Sequence, residues 1–454
     1  MPHHGSRPAP PVATGLTLSV AAALLGFVLL AWLPLLLALG TAEEPGGWHE
    51  EAGIALGLVG LSLLLLQFAH SGRWHLVSGR SGIDVTMRFH RAAAILVLVL
   101  VLLHPLLFVL PLLMDDPARG LARLHAMFTS PRMTTGKIAW IALVATVLLA
   151  LGRRAIPYQH WRLLHGIGAL VAAGAGVWHA VEVGLYSSFP PLGALWWAGL
   201  AGAALLMAWA WGWKPWRAAR AGWRIGAVTP IGPGYWDVTV TGPTPPHFAA
   251  GQFFWLAFGR AAPWDDNPFS VASAPGASEM RFVIREAGDR TRTLGSLPAG
   301  LPVRLDGPHG TFTLERAGPG PLLLVAGGAG IAPILSLARE LDATNDPRPV
   351  TLLHCARTPD RLVCRAEMEA IAERRGWRCR FLAEEAMSGG AGSEGVTPGR
   401  PDRDVLAELL RGIPVEDVTV MICGPEPMTM SVMRDLEALG VPSAHLVYEL
   451  FDYA

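Results

Sequence analysis

Hydrophobic residues are distributed along this chain in two unlike ways. Up to Trp213 they form long, almost unbroken runs, at approximately 16–40, 51–69, 91–113, 136–152, 165–185 and 192–212. Each holds roughly 17 to 25 residues, the length a helix needs to cross a hydrocarbon core, so six membrane-spanning helices are predicted. The first run is too long for a secretory leader and has no small-residue cleavage site soon after it; it is expected to be a retained span. Beyond Trp213 the pattern changes to short segments in which apolar and polar residues alternate. "GYWDVTVTG" (234–242) and "GQFFWLAFG" (251–259) read as antiparallel strands bounded by Gly and Pro. Further on, "PLLLVAGGAGIAPILSLAREL" (321–341) reads as a buried strand, a glycine turn and a helix, and "VTLLHCARTP" (350–359) as a second strand. The expected architecture is multi-domain: an all-α bundle of six transmembrane helices, then an antiparallel β-barrel, then an α/β domain. The expected boundaries are an N-terminal tail at 1–15, the bundle at 16–213, a basic linker at 214–222, the barrel at 223–316 and the α/β domain at 317–454.

Composition agrees with this division. Hydrophobic residues make up 52% of the chain and charged residues only 16%, against about 25% charged in an average soluble protein. Lys plus Arg and Asp plus Glu number 36 each, so the net charge is zero. No basic run carries the interleaved aromatics of a nucleic-acid surface, and none is expected to bind one. Cys355, Cys364, Cys379 and Cys423 all lie in the second half without metal-type spacing. They read as free thiols in a reducing cytosol. The loop charges set the orientation. Arg73, Arg80, Arg88 and Arg91 follow the second run, Arg153, Arg154 and Arg162 the fourth, and Lys214, Arg217, Arg220 and Arg224 the sixth, whereas Glu43, Glu44, Glu50 and Glu51 follow the first. Basic loops stay inside, which places both termini in the cytosol and the protein in the cell's inner membrane as a multi-pass chain.

Polar side chains are rare in the apolar runs, and histidines stand out among them. His90 and His104 lie fourteen residues apart on the third run, and His165 and His179 fourteen apart on the fifth. Fourteen steps of about 100° return to within ~40° of the starting face, with a rise of roughly 21 Å. Both runs are odd-numbered and therefore parallel, so the first histidines share one depth and the second histidines another. Two facing imidazole pairs result, and paired neutral imidazoles inside a bundle are what a six-coordinate haem iron takes as axial ligands. A lone intramembrane histidine also serves as a helix-packing residue; the doubled pattern favours ligands. His70, His75 and His160 stand at span ends and read as interfacial, with His160 a minor rival at the inner site.

The second half carries its own strings. "NPFSVASAP" (267–275), "VIREAGDRTRTL" (283–294), "DGPHGTF" (306–312), the glycine turn, "CGPEPM" (423–428) and the terminal "YELFDYA" occur in this order. They resemble the flavin and nicotinamide signatures of the ferredoxin-reductase superfamily. With the paired histidines and "GIDVTMRFHR" (82–91), the chain as a whole resembles the ferric reductase and NADPH oxidase superfamily. The resemblance implies that FAD is held by Phe269, Ser270, Val271, Ser273, Ile284, Gly288 and Thr291. Ser270 would lie near the hydride-accepting nitrogen. Many members place Arg or His where this chain has Asn267, so charge help to the flavin phosphate is not expected from that position. Gly327, Gly328, Gly330, Ile331 and Pro333 would approach the dinucleotide pyrophosphate at a helix N-terminus. Gly424, Pro425 and Met428 would follow. Cys423 would lie beside the nicotinamide, a buried structural thiol being the other reading. Arg357, with Arg361, would pair a ribose phosphate, which favours NADPH over NADH; a solvated arginine is the alternative. Glu449 and Phe451 match the closing acid and aromatic, with Phe451 covering the flavin face.

The implied activity is hydride transfer from NAD(P)H to FAD, then single-electron passage to an inner b-type haem (His90, His165), an outer b-type haem (His104, His179) and an acceptor outside. Oxygen and a ferric chelate are both compatible acceptors. A membrane-anchored electron donor to a protein partner or quinone is a separate reading, and the dinucleotide strings argue against a non-enzymatic transporter. Outer-side Arg119, Arg123, His125, Arg132 and Lys137 are candidate haem-propionate or chelate contacts, or simply solvated.

Overall fold

The computed structural model describes residues 20–41, 46–70, 74, 82–243, 247–385 and 394–450. The chain divides into two compact units between Lys214 and Pro215.

In the first unit the apolar runs are helices: α1 (Val20–Leu39), α2 (Trp48–Leu66), α3 (Ile83–Asp115), α5 (Thr134–Leu151), α6 (Tyr158–Val183) and α7 (Pro190–Ala208). Six candidate membrane spans are found among the described residues. Two of these helices begin seven or more residues before their apolar runs, α3 at Ile83 and α6 at Tyr158. Hydropathy marks where a helix becomes greasy, whereas the hydrogen-bond ladder extends through "MRFH" and "YQHWRLL" until Gly82 and Pro157 interrupt it. His90 and His165 therefore sit a few turns inside their helices. A further helix, α4 (Pro117–Thr129), lies where only a mixed loop is expected. Its start is fixed by Asp116, whose carboxylate accepts from the backbone N–H of Ala118 (3.0 Å) and Arg119 (3.2 Å). The bundle core gathers Leu58, Leu61 and Leu64 of α2, Val97 of α3, Leu143 and Val147 of α5, Ala172, Ala173 and Val177 of α6, and Leu192 and Trp196 of α7.

The second unit opens with six strands in two three-stranded antiparallel sheets. One has β1 (Arg224–Gly232), β2 (Tyr235–Thr241) and β5 (Met280–Arg285) in that order; the other has β4 (Asn267–Ser270), β3 (Phe253–Phe258) and β6 (Val303–His309). Inward residues of both sheets, among them Val238, Phe254, Phe282 and Ile284, share one core. The remainder is a six-stranded parallel sheet in the order β10-β9-β8-β7-β11-β12. Its strands are β7 (Leu322–Gly327), β8 (Val350–Ala356), β9 (Arg378–Ala383), β10 (Val396–Pro398), β11 (Thr419–Gly424) and β12 (Leu446–Leu450). β7 is buried at every position, as expected for a strand covered on both faces. The strand order reverses between β7 and β11, and in such sheets the ligand crevice opens at the carboxyl ends of the strands flanking the reversal.

Side chains tie the two parts of this unit together. Ser336 Oγ donates to the Ser273 carbonyl at 2.7 Å, and Arg339 Nη1 donates to the Ala272 carbonyl at 2.6 Å while its other nitrogens pair with Glu367. Both donors lie on the helix Ile331–Ala343 that leaves the glycine turn. The loop after β4 is thereby fixed to the nucleotide-side helix.

Candidate functional site

In the helical unit, His90 of α3 and His165 of α6 face one another with ring centres 6.4 Å apart and planes at 67°. A metal held between two imidazole nitrogens at about 2 Å each puts ring centres roughly 6 Å apart, so the pair has the dimension of an axial-ligand site. Their Nδ1 atoms are buried and without a hydrogen-bond partner among the described residues. Trp161 stacks on His165 at 5.4 Å. Toward the other end of the same two helices lie His104 and His179. His104 Nδ1 is 2.7 Å from the Gly53 carbonyl oxygen of α2. A carbonyl only accepts, so Nδ1 carries the proton and Nε2 keeps its lone pair for a ligand. Each of these two rings is backed by a glycine. A Cβ on Gly57 would stand 2.8 Å from His104 Nδ1, and one on Gly136 would stand 2.8 Å from His179 Cε1. No side chain at either position leaves the ring where it is. His70, by contrast, bonds the Leu66 carbonyl at 2.9 Å and packs between Phe27 and Phe89, and His160 is exposed. Neither joins a facing pair; His75 lies outside the described residues.

In the second unit the flavin-type strings converge. Phe269 is half-buried on β4, next to Ser270, whose Oγ is buried without a partner among the described residues. Val271 and Ile284 are buried beside it. Ser273 Oγ accepts from the Arg281 N–H at 3.2 Å, which pins the loop after β4 to β5. Thr291 is used locally: its Oγ1 accepts from the N–H groups of Ala287 (2.8 Å) and Gly288 (3.0 Å). It shapes the Gly288 turn. An ion pair not legible in the sequence, between Arg290 and buried Asp265, ties the second string to the chain two residues ahead of Asn267. Asp and Arg are too common for this pair to be found without coordinates.

At the switch point, β7 ends in Gly327 and β11 in Gly424, and a Cβ on Gly330 would stand 1.9 Å from the Cys423 carbonyl oxygen. Only glycine lets the turn and the neighbouring strand end approach this closely. Ile331 and Pro333 begin the helix that follows, and Met428 covers Gly327 and Gly424. Cys423 is fully buried, and burial pushes its thiol far above the ordinary range, so it is a neutral S–H and not a thiolate. Pro425 starts the next helix. Arg357, at the end of β8, pairs through Nε with Glu385 Oε1 at 2.6 Å. Beside it, Arg400 pairs with Glu384 at 2.9 Å, and these four residues with Gly399 line an open cavity of about 540 Å³. The structure thus supplies a second cation that was not foreseen. Arg361 is exposed and does not line the cavity. Phe451 lies outside the described residues, while Glu449 is buried on β12 opposite Cys423.

These features define a class: a multi-pass helical membrane unit joined to a dinucleotide-binding reductase unit. Residues 56–176 match the ferric reductase like transmembrane component, and residues 324–434 match the oxidoreductase NAD-binding domain. The first unit thus carries a ferric-reductase-like transmembrane component, and the second unit belongs with the ferredoxin–NADP reductases. It is 32% identical over 213 residues to ferredoxin–NADP reductase B of Sorangium cellulosum, covering 45% of this chain and 86% of the relative. It is also 32% identical over 198 residues to the propane 2-monooxygenase reductase component of Mycolicibacterium smegmatis, covering 41% of this chain. The match spans 55% of that relative's length. A solved FAD/NAD-binding domain of nitric oxide dioxygenase from Vibrio cholerae aligns with a TM-score of 0.45 at 20% identity, covering 51% of this chain and 99% of that one.

Proposed function

We propose that the chain is a transmembrane NAD(P)H oxidoreductase with both termini in the cytosol, oriented in the inner membrane to deliver electrons to an acceptor outside. The observation that carries this is the facing His90 and His165 pair in a chain that also holds a glycine turn at a sheet switch point. His90 with His165 and His104 with His179 would hold two haems, and Phe269, Ser270, Val271, Ser273, Ile284 and the Gly288 turn would hold FAD. When bound, FAD divides the electron pair of a hydride, and the haems carry single electrons. The two three-stranded sheets are read as the halves of a closed barrel.

The protein's own residues do the positioning. Arg357 and Arg400 would take a ribose phosphate in place of their carboxylate partners, the exchange of charge-assisted contacts that favours NADPH. The N–H groups at Gly328 to Ile331 would face the pyrophosphate. Ser336 and Arg339 hold the loop after Ser270 at a set distance from that turn, so the flavin and nicotinamide sites move as one. The neutral Cys423 thiol would pack on the nicotinamide without competing as a nucleophile. Ser270 Oγ, unpartnered among the described residues, would supply a hydrogen bond to the flavin.

The acceptor is read as oxygen or a ferric chelate. The test is NADPH oxidation by the purified chain in air, then anaerobically with ferric citrate, scoring superoxide with and without dismutase. Dismutase-sensitive signal marks an oxidase, anaerobic ferrous iron a ferric reductase. Activity with neither, restored by a quinone, marks the anchored donor.

A further inference from the structure

The helix α4, between the third and fourth spans, is nearly all exposed, although it carries large apolar residues. Leu121 is 57% and Phe128 67% exposed, and Leu124 is also exposed. At about 100° per residue these three share an arc of roughly 60°, and Arg119 and Arg123 project from the other side. The helix is held in place. Gly120 is pressed on the end of α3, where a Cβ would stand 2.4 Å from Leu113 Cα. Lys137 Nζ donates to the Phe128 carbonyl at 2.8 Å, tying its last turn to the start of α5 beside Gly136. It begins two residues after α3 ends, so it lies at the His104 and His179 end of the bundle.

We propose that α4 is a lipid-interface helix. Leu121, Leu124 and Phe128 rest on the acyl boundary of the leaflet at that end, and Arg119 and Arg123 reach anionic phospholipid phosphates. Two observations select lipid as the occupant. Exposed Leu103, Leu106, Leu110 and Met114 form one face of α3, a face that a spanning helix buries in acyl chains, and it reaches Met114, three residues before α4 begins. The cations stand on the opposite side of the helix, where an interfacial helix meets headgroups and a protein-buried helix has no use for them.

The full-length chain is tested in liposomes of phosphatidylcholine, alone or mixed with phosphatidylglycerol. Single cysteines replace Leu121, Leu124, Phe128, Ala122 or Ala126 and carry a nitroxide. The native thiols are buried or half-buried, with Cys364 pushed up to about 11 and Cys379 to about 12, so their labelling is slow and is subtracted from the parent chain. The ratio of collisions with oxygen to collisions with a water-soluble nickel chelate should be several-fold higher at 121, 124 and 128 than at 122 and 126. One ratio at all five positions overturns the proposal, as does protection of 121 and 128 from both reagents, which would place a protein or a second copy there. Phosphatidylglycerol should raise the ratio at 121 when Arg119 and Arg123 are present but not in Arg119→Gln/Arg123→Gln. A rise that persists in the double variant overturns the headgroup contact.

Discussion

The two units keep their chemistry in different places. In the helical unit, on the proposed reading, it would sit in four imidazoles on two long helices, His104 standing just before a proline inside its helix. In the second unit it would sit largely in the backbone, at Gly327 to Gly330 and the ends of β7 and β11, where side chains are mostly excluded. A helix satisfies its own polar groups and offers a cofactor nothing but side chains, whereas a strand-to-helix turn leaves N–H groups free to bind. Substitution should therefore separate the units, with ligand loss in one and steric blockage in the other.

The largest effect is expected at His104. Leucine keeps the span apolar, so insertion should survive, while haem content falls towards half and delivery to an outside acceptor collapses. NADPH-driven reduction of a soluble dye should persist. Two haems per chain with full activity in His104→Leu would return His104 to a packing role. The mirror experiment is Gly330→Val. Its side chain meets the Cys423 carbonyl, so nucleotide-dependent flavin reduction should be nearly lost while the haem spectrum stays as it was. Loss of haem in that variant would show that the units do not behave separately.

What the sequence made legible follows the same division. The histidine spacing survives translation into structure because a helix has a fixed pitch: equal intervals on two parallel spans place His90 opposite His165 without any knowledge of packing. The strand and turn strings were readable because Gly and Pro punctuate them. Features built by long-range contact were not. Arg400 reaches the Arg357 cavity from forty-three residues away, Asp265 finds Arg290 across twenty-five, and α4 hides in a charged stretch whose apolar residues are too few to read as a span. The Gly53 carbonyl that orients His104 belongs to another helix and is invisible in a side-chain pattern.

A smaller effect sharpens the picture of the nucleotide unit. Arg357→Ala and Arg400→Ala should each raise KM for NADPH several-fold and leave NADH almost unchanged, since a charge-assisted contact is worth about 1.5 to 3 kcal/mol before its partner carboxylate is released. Equal effects on both nucleotides would remove the two arginines from this role.

The smallest effect distinguishes a buried histidine from a ligand. His354 of β8 is fully buried near Phe381, and among the described residues no second imidazole faces it. Burial pushes it down to about 4 from the ordinary 6.5. The unfolded chain then holds more protons than the folded one between those values, so stability rises with pH across the window and is lost as pH falls through it. A depression of this size corresponds to roughly 3 kcal/mol once the pH is below about 4. Thermal unfolding of the second unit, followed by flavin release in the full-length chain, should drop by several degrees between pH 6.5 and pH 4.5. His354→Leu should flatten that slope without altering haem content. An unchanged slope would mean that the acid sensitivity arises elsewhere.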